Sequence, residues 1–346
     1  MGKKIKVGIS IGDLNGIGLE IIIKTFKDNR MMDFCTPIIF GSSQVASIHR
    51  KTLNMQDFSF NTINNFKNIN HKKANLLNIW EKNIDITLGK PSTESGQYSL
   101  DSIKKAADAL KNKEIDVLVT APINKASIQE KVTSFIGHTE FFEKNFEGNA
   151  LMIMISEVMK IAFVTGHVPL NEVKKLITCK SIILKTKQLN TSLTQDFRIR
   201  KPKIAILGLN PHAGEDGLLG DEETEHIIPA IKKLKEEGII VFGPYSADSF
   251  FTHKNLKHFD GILSMYHDQG LTAFKTLSFS DGVNYTAGLN VIRTSPVHGT
   301  AYEIAGKGIA DEKSFREAIF LACEIYKKRT EFNLLNENPL KIKTKK

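Results

Sequence analysis

PKIAILGLNPHAGEDGLLGDEETEHIIPAIKKLKEEGIIVFGP, residues 202–244, carries the pattern that decides the fold. PKIAILGLNPHAG opens with an unbroken apolar run of strand length, as expected for a strand covered on both faces. EHIIPAIKKLKEEG spaces its apolar residues as one face of a helix, and Gly238 is placed to end it. IIVFGP is a second strand. Between strand and helix lies a polar stretch with glycine turns, His212 and several acids, where a core element would show periodicity. Glu222 and Glu223 fall where the next helix begins, at its positive end.

The same rhythm recurs outward from this unit. IKVGISI (5–11) runs into the turn GDLNGIG and the helical LEIIIKTF, and TPIIFGSS (36–43) is another strand into a turn. GQYSLDSIKKAADALKNKEID (96–116) is an amphipathic helix followed by the strand and turn VLVTAPINK (117–125). ALMIMIS (150–156) and KIAFVTGHVPL (160–170) read as strands, and VKKLITCKSIILKTKQLNTSL (173–193) as one long helix. FDGILSMYHDQG (259–270) is a further strand and SFREAIFLACEIYKKR (314–329) a C-terminal helix. Residues 50–80, rich in Asn and Lys, read as an irregular surface excursion. Strands alternating with helices imply an α/β fold with a mainly parallel sheet.

Bulk properties narrow the function. With 346 residues and 41% hydrophobic composition, the chain can bury a sizeable core, in two domains or one large unit. The formal charge of +9 is spread along the chain without a basic patch interleaved with aromatics. That argues against nucleic acid and for a small acidic or phosphorylated partner. Three widely separated cysteines, Cys35, Cys179 and Cys323, form no disulfide framework and point to a reducing, cytoplasmic setting. The N-terminal segment reads as a first strand rather than a signal peptide, and no apolar run is long enough to span a membrane.

The chemistry-bearing residues fall at strand ends, where open α/β sheets bind ligands. FVTGH delivers His167, ILGLNPH delivers His212 and ILSMYH delivers His267. A lone histidine is more often a hydrogen-bonded structural residue. Three in equivalent positions make a plausible imidazole set for Zn, Co, Ni or Fe. Lys275, Asn284 and Arg293 lie close in sequence, and a lysine with a forked guanidinium suits a phosphate or carboxylate. His138 and Thr139 of GHTEFF sit at a helix start, where free N–H groups favour anions. The competing reading of these cations is a solvated surface with a helix cap. GDLNGIG does not match the dinucleotide GxGxxG pattern and reads as a tight strand–helix connection, with Asp13 placed to orient a helix or a ligand.

Seven stretches in order, GDLNGIGLEI, TAPINK, GHTEFF, GLNPHAGEDGLLGDEE, GPYSADSFF, MYHDQGL and GVNYTAGLNVIRTSPVHGTAYEIAGKG, resemble the 4-hydroxythreonine-4-phosphate dehydrogenase family of pyridoxal phosphate biosynthesis. The last also resembles the HGSAPDIAGKG loop of isopropylmalate dehydrogenases. The first motif departs from the family's Asp-Pro-Ala-Gly, and the Asn-rich excursion is atypical. The resemblance implies a two-domain isocitrate/isopropylmalate dehydrogenase-like α/β fold with the active-site cleft between domains. Residues 1–130 with 290–346 would form the first domain, and 131–289 the second, carrying a homodimer interface.

Carried over by position, the resemblance implies that His167, His212 and His267 hold a divalent metal (Zn, Co or Mg) shared across the dimer. His138, Thr139, Lys275, Asn284 and Arg293 would bind substrate, and NAD(P) would lie on the loop of His298, Gly299, Thr300, Ala301 and Gly306. Lys275, Asp248 and Asp268 are candidates for proton transfer, although both aspartates could instead orient ligating imidazoles. The implied reaction is metal-dependent, NAD(P)-linked oxidation of 4-phosphooxy-L-threonine to a 3-oxo acid that decarboxylates to 3-amino-2-oxopropyl phosphate. The alternatives are a dehydrogenase of threonate or erythronate 4-phosphate, and a phosphate acyltransferase of related fold.

Overall fold

A computed structural model of the chain describes residues 4–338. The expected assignment of 1–3 and 339–346 to the first domain lies outside the described residues. In chain order the strands are β1 (Lys6–Ser10), β2 (Thr36–Gly41), β3 (Asn61–Ile63), β4 (Asn75–Asn78), β5 (Val117–Thr120), β6 (Gly148–Ile155), β7 (Lys160–Phe163), β8 (Ile204–Leu207), β9 (Val241–Tyr245), β10 (Gly261–Ser264), β11 (Val283–Leu289) and β12 (Arg293–Pro296). The fold is mixed α/β, as the alternation implies.

The chain divides into two compact units. The first holds the residues up to Val158 together with Leu271–Cys323, the second Met159–Gly270 together with the residues from Glu324 on. In the first the strand order is β3-β4-β2-β1-β5-β12-β11-β6, and in the second β7-β10-β8-β9. Pairing is parallel throughout the second unit. In the first it is parallel except at β11, which runs antiparallel to both β12 and β6. The expected boundaries at 130/131 and 289/290 therefore fall inside the first unit. The reason is hydrogen bonding: β6 pairs with β11, β11 with β12, and β12 with β5, which ties 148–155 and 283–296 into one sheet.

Local structure follows the sequence pattern with informative exceptions. The helix Thr93–Lys111 is capped by Ser92, whose hydroxyl accepts from Ser95 N, and buries Leu100, Ile103, Ala107 and Leu110 against the sheet. The single helix expected over 173–193 is two, Leu170–Leu176 and Cys179–Gln195. Thr178 and Ser181 form a capping box that starts the second, and this outweighs the continuous apolar spacing. The strand expected over FDGILSMYHDQG ends at Ser264, and a helix begins at His267.

The Asn-rich stretch is only partly irregular. It supplies β3 and β4, which extend the sheet edge in parallel. Asn75 is fully buried: its Oδ1 accepts from Asn61 Nδ2 at 2.9 Å and Asn70 N at 2.8 Å, and its Nδ2 faces the carbonyls of Pro37, Asn70 and Lys73. Asparagine is a poor strand former, so periodicity concealed these strands. The amide works here as a hydrogen-bonding hub.

His49, in the helix Ser43–Thr52, is buried and donates from Nε2 to the Leu14 carbonyl at 2.8 Å. Burial holds it neutral, with its pKa lowered from 6.5 to about 4. A histidine depressed in this way costs no stability above pH 6.5. Below that the unfolded chain binds the proton first, so stability falls with pH until about pH 4. The depression corresponds to about 3 kcal/mol in total, of which about 2 kcal/mol is lost by pH 5. His49→Gln, which keeps a donor near Leu14, is expected to flatten this part of the curve in denaturant unfolding at pH 7 and pH 5. Identical pH dependence in the two proteins would remove His49 as a cause.

Candidate functional site

In the first unit, polar groups gather around Arg293, the first residue of β12. Its guanidinium is only 2% exposed. Nε donates to Thr120 Oγ1 at 3.0 Å and one terminal nitrogen to Thr286 Oγ1 at 3.2 Å. Phe142 stands beneath it, 6.0 Å from ring centroid to guanidinium carbon. Among the described residues it has no ion pair. Burial lowers its pKa to about 9, and Glu140 opposes that shift. It remains charged at neutral pH, and an isolated buried cation is costly. Five N–H donors with only hydroxyls for partners are suited to receive an anion.

The residues expected beside Arg293 are placed as follows. His138 begins the helix His138–Asn145, with Thr139 next, and Phe142 of that helix faces Arg293. Burial, with Arg293 and Lys125 nearby, holds His138 well below the ordinary histidine pKa. Among the described residues its buried Nε2 has no partner, and neither has Oδ1 of Asn284 on β11. Asn284 lies two residues from Thr286, which pairs with Arg293. Lys275 sits half-buried near the end of the helix His267–Ser278, and no hydrogen bond or ion pair links it to this group. Lys125 was not singled out by the sequence. It starts the helix Lys125–Gln129, and its ammonium approaches Gly137, where a Cβ would lie 3.2 Å from Nζ. The TAPINK turn was its only signal.

The loop 298–306 is fastened to the first strand–helix turn. Tyr302 donates its hydroxyl to Asp13 Oδ2 at 2.9 Å, and Asp13 Oδ1 accepts from Asn15 N and Ser95 Oγ. Burial is the largest cause that raises the Tyr302 pKa, followed by the Asp13 charge. Ile17 N donates to the Thr300 carbonyl at 3.1 Å. A Cβ on Gly16 would stand 2.8 Å from that oxygen, so only glycine allows the approach. Ala301 (φ 43°) and Gly306 (φ 77°) turn the loop, and His298 Nδ1 lies 3.1 Å from the Gly299 carbonyl with Nε2 unpartnered. Gly299 has open space around its Cα.

The three strand-end histidines lie in the second unit. The β7–β10 pairing continues past both strands: Val164 N donates to Ser264 O and Thr165 N to Met265 O. The chain ends therefore leave side by side, and the rings of His167 and His267 stand with centroids 5.0 Å apart. His267 donates from Nδ1 to Asp268 Oδ1 at 2.6 Å, which fixes the ring's tautomer and leaves the Nε2 lone pair available. His212 lies in the turn Pro211–Gly217, near Asp248. The Ser246 hydroxyl holds Asp248 below the usual carboxylate range. Gln269 bridges the strand ends, donating to Gly208 O and accepting from Met265 N.

Among the described residues no three His, Cys, Asp or Glu side chains converge on one point. Two imidazoles with a carboxylate-oriented nitrogen fit part of a divalent-metal shell, and His212 stands apart from them. The turn holding His212 is unusual. His212, Ala213, Gly214, Glu215 and Asp216 have φ of 52°, 53°, 82°, 42° and 57°. Each non-glycine residue in this left-handed form costs about 1–2 kcal/mol. Glu223, expected only as a helix start, supplies a buried carboxylate to this turn, and Glu222 pairs with Lys174.

A buried guanidinium in one unit and strand-end imidazoles in the other are groups suited to the chemistry of an α/β enzyme. Comparison with known proteins gives the family. Residues 33–322 match the model described as Pyridoxal phosphate biosynthetic protein PdxA. The chain is 48% identical, over 98% of its length and 93% of the relative's, to a 4-hydroxythreonine-4-phosphate dehydrogenase of Bacteroides thetaiotaomicron. It is 36% identical, over 94% of its length and 99% of the relative's, to a protein of Oceanobacillus iheyensis provisionally named a D-threonate 4-phosphate dehydrogenase. A crystal structure of the 4-hydroxythreonine-4-phosphate dehydrogenase of Klebsiella pneumoniae superposes with a TM-score of 0.78 at 31% identity, covering 94% of this chain and 98% of that one. The chain belongs to the PdxA family.

If Arg293 is the anion receptor, inorganic phosphate stabilises the protein through it. At a 100-fold excess over its Kd, phosphate is expected to add about 2.7 kcal/mol in a thermal or denaturant melt. Arg293→Met is expected to fold and to lose this response. Equal stabilisation of both proteins would place the anion elsewhere.

Proposed function

We infer that the chain oxidises 4-phosphooxy-L-threonine with NAD⁺ or NADP⁺ in the presence of a divalent cation. The product is a 3-oxo acid that loses CO₂ to give 3-amino-2-oxopropyl phosphate. Membership of the PdxA family supports the reaction, and the buried, unpaired Arg293 is the observation that carries the substrate class. His167, His212 and His267, one of the three contributed across a homodimer, are the residues that would hold a zinc, cobalt or magnesium ion. The loop of His298, Gly299, Thr300, Ala301 and Gly306 would hold the nicotinamide cofactor. When bound, the ion acidifies the substrate hydroxyl and the nicotinamide accepts hydride.

The chain's own residues do the rest. Arg293 grips a charged end of the substrate with its guanidinium fork, and Lys125 adds a second cation. His138 is neutral, so its unpartnered Nε2 can take or give a hydrogen bond without adding charge. Asn284 offers its free amide oxygen to a donor such as the substrate amine. Thr139, in the first turn of its helix, adds backbone and hydroxyl donors. These contacts fix the reacting carbon. Asp268 is engaged by His267 and Asp248 is held acidic by Ser246, so both suit the orientation of imidazoles better than proton abstraction. Lys275 is the remaining candidate for a role in proton transfer. We place the enzyme in the cytoplasm, consistent with three free cysteines. Among the described residues no helix is long and apolar enough to cross a membrane.

The Oceanobacillus relative favours a second reading, oxidation of a four-carbon sugar-acid phosphate, in which a hydroxyl replaces the substrate amine. Formation of reduced nicotinamide with each substrate separates the two, and activity that survives full chelation of metal would count against both. His267→Ala is expected to abolish turnover with an unchanged melting temperature; parallel loss of both would reduce His267 to a structural residue. Arg293→Lys is expected to raise KM about tenfold, equivalent to about 1.4 kcal/mol. An unaltered KM would take Arg293 out of the substrate grip.

A further inference from the structure

The left-handed turn at 211–217 has little local reason to exist. Of its six residues with positive φ only Gly214 and Gly217 favour that conformation, so contacts from outside must impose it on His212, Ala213, Glu215 and Asp216. One of them comes from a buried carboxylate at the entry to the turn. Glu223 is 2% exposed and reaches back along the chain. Its Oε1 accepts from Leu209 N at 2.7 Å and Asn210 N at 2.8 Å, and its Oε2 accepts from Asn210 Nδ2 at 2.9 Å. A Cβ on Gly214 would lie 2.7 Å from Oε2, and one on Gly208 3.1 Å from Oε1. The carboxylate thus lies against both the entry and the middle of the turn.

We propose that Glu223 is the positioning residue that holds this turn left-handed and thereby aims the imidazole of His212. This rests on the reading of His212 as a metal ligand. The role needs a carboxylate, because both oxygens accept and neither donates. A glutamine would set an NH₂ against Asn210 Nδ2 or against two backbone N–H groups. Asn210 cannot flip its amide to compensate. Its Nδ2 also donates to Glu222 Oε2 at 2.7 Å, and a flip would set oxygen against oxygen. Burial prevents water from replacing the lost bonds.

Two measurements on the full chain test this. In hydrogen exchange, Glu223→Gln is expected to speed the amides of 209–219 at least tenfold while the rest of the protein is unchanged. In cobalt titration followed by visible absorption, the same variant is expected to raise the Kd at least tenfold and alter the band shape, which loss of global stability alone would not do. Adding Asp216→Gly, which relieves strain at φ 57°, is expected to restore at least threefold of each loss. If Glu223→Gln fails to fold, Asn210→Ala, which removes one donor to Glu223, is expected to loosen the same amides at least threefold. Unchanged exchange across 209–219 would overturn the proposal. A variant with a loosened turn but wild-type cobalt binding would overturn the aiming of His212. A wild-type protein that develops no cobalt band would instead sink the metal reading, and exchange alone would then decide whether Glu223 holds the turn.

Discussion

The constraint on which the first unit's site depends is the solitary positive charge of Arg293 in the interior. Burial of a guanidinium is tolerable only when its donors are occupied, and Thr120 and Thr286 occupy some of them without neutralising it. The surrounding choices follow. Phe142 lies beneath the guanidinium, and His138 remains neutral, since a second buried cation there would be repelled. Among the described residues, His138 Nε2 and Asn284 Oδ1 also lack hydrogen-bond partners.

The second unit uses parallel pairing to a related end. Because β7 and β10 run side by side and their ladder continues past both strands, whatever follows them must emerge together. His167 and His267 follow them. Asp268 orients one ring, Asp248 stands near His212, and Gln269 ties neighbouring strand ends through Gly208 and Met265.

The loop 298–306 shows the same economy. Asp13, on the turn after β1, is buried and accepts from Ser95, Asn15 and Tyr302. One carboxylate therefore links the first turn, the helix Thr93–Lys111 and a loop nearly 300 residues away in sequence. The backbone contact between Ile17 and Thr300 tightens the same junction.

The sequence alone determined the α/β class, because strand-length apolar runs alternating with 3.6-residue periodicity admit few other folds. It also placed the histidines at strand ends, since position relative to a strand is a local property. Motif order was enough to identify the family resemblance. Spacing could not reveal what depends on contacts between distant residues. The unit boundaries turned on β6, β11 and β12 sharing one sheet, and strand pairing is not encoded locally. The Asn75 network replaced periodicity with amide hydrogen bonds, and a capping box divided a helix whose apolar pattern ran on. The isolation of Arg293, the left-handed turn held by Glu223 and the Asp13–Tyr302 bond were decided only in three dimensions. Burial and partnership belong to the folded chain rather than to any residue in it.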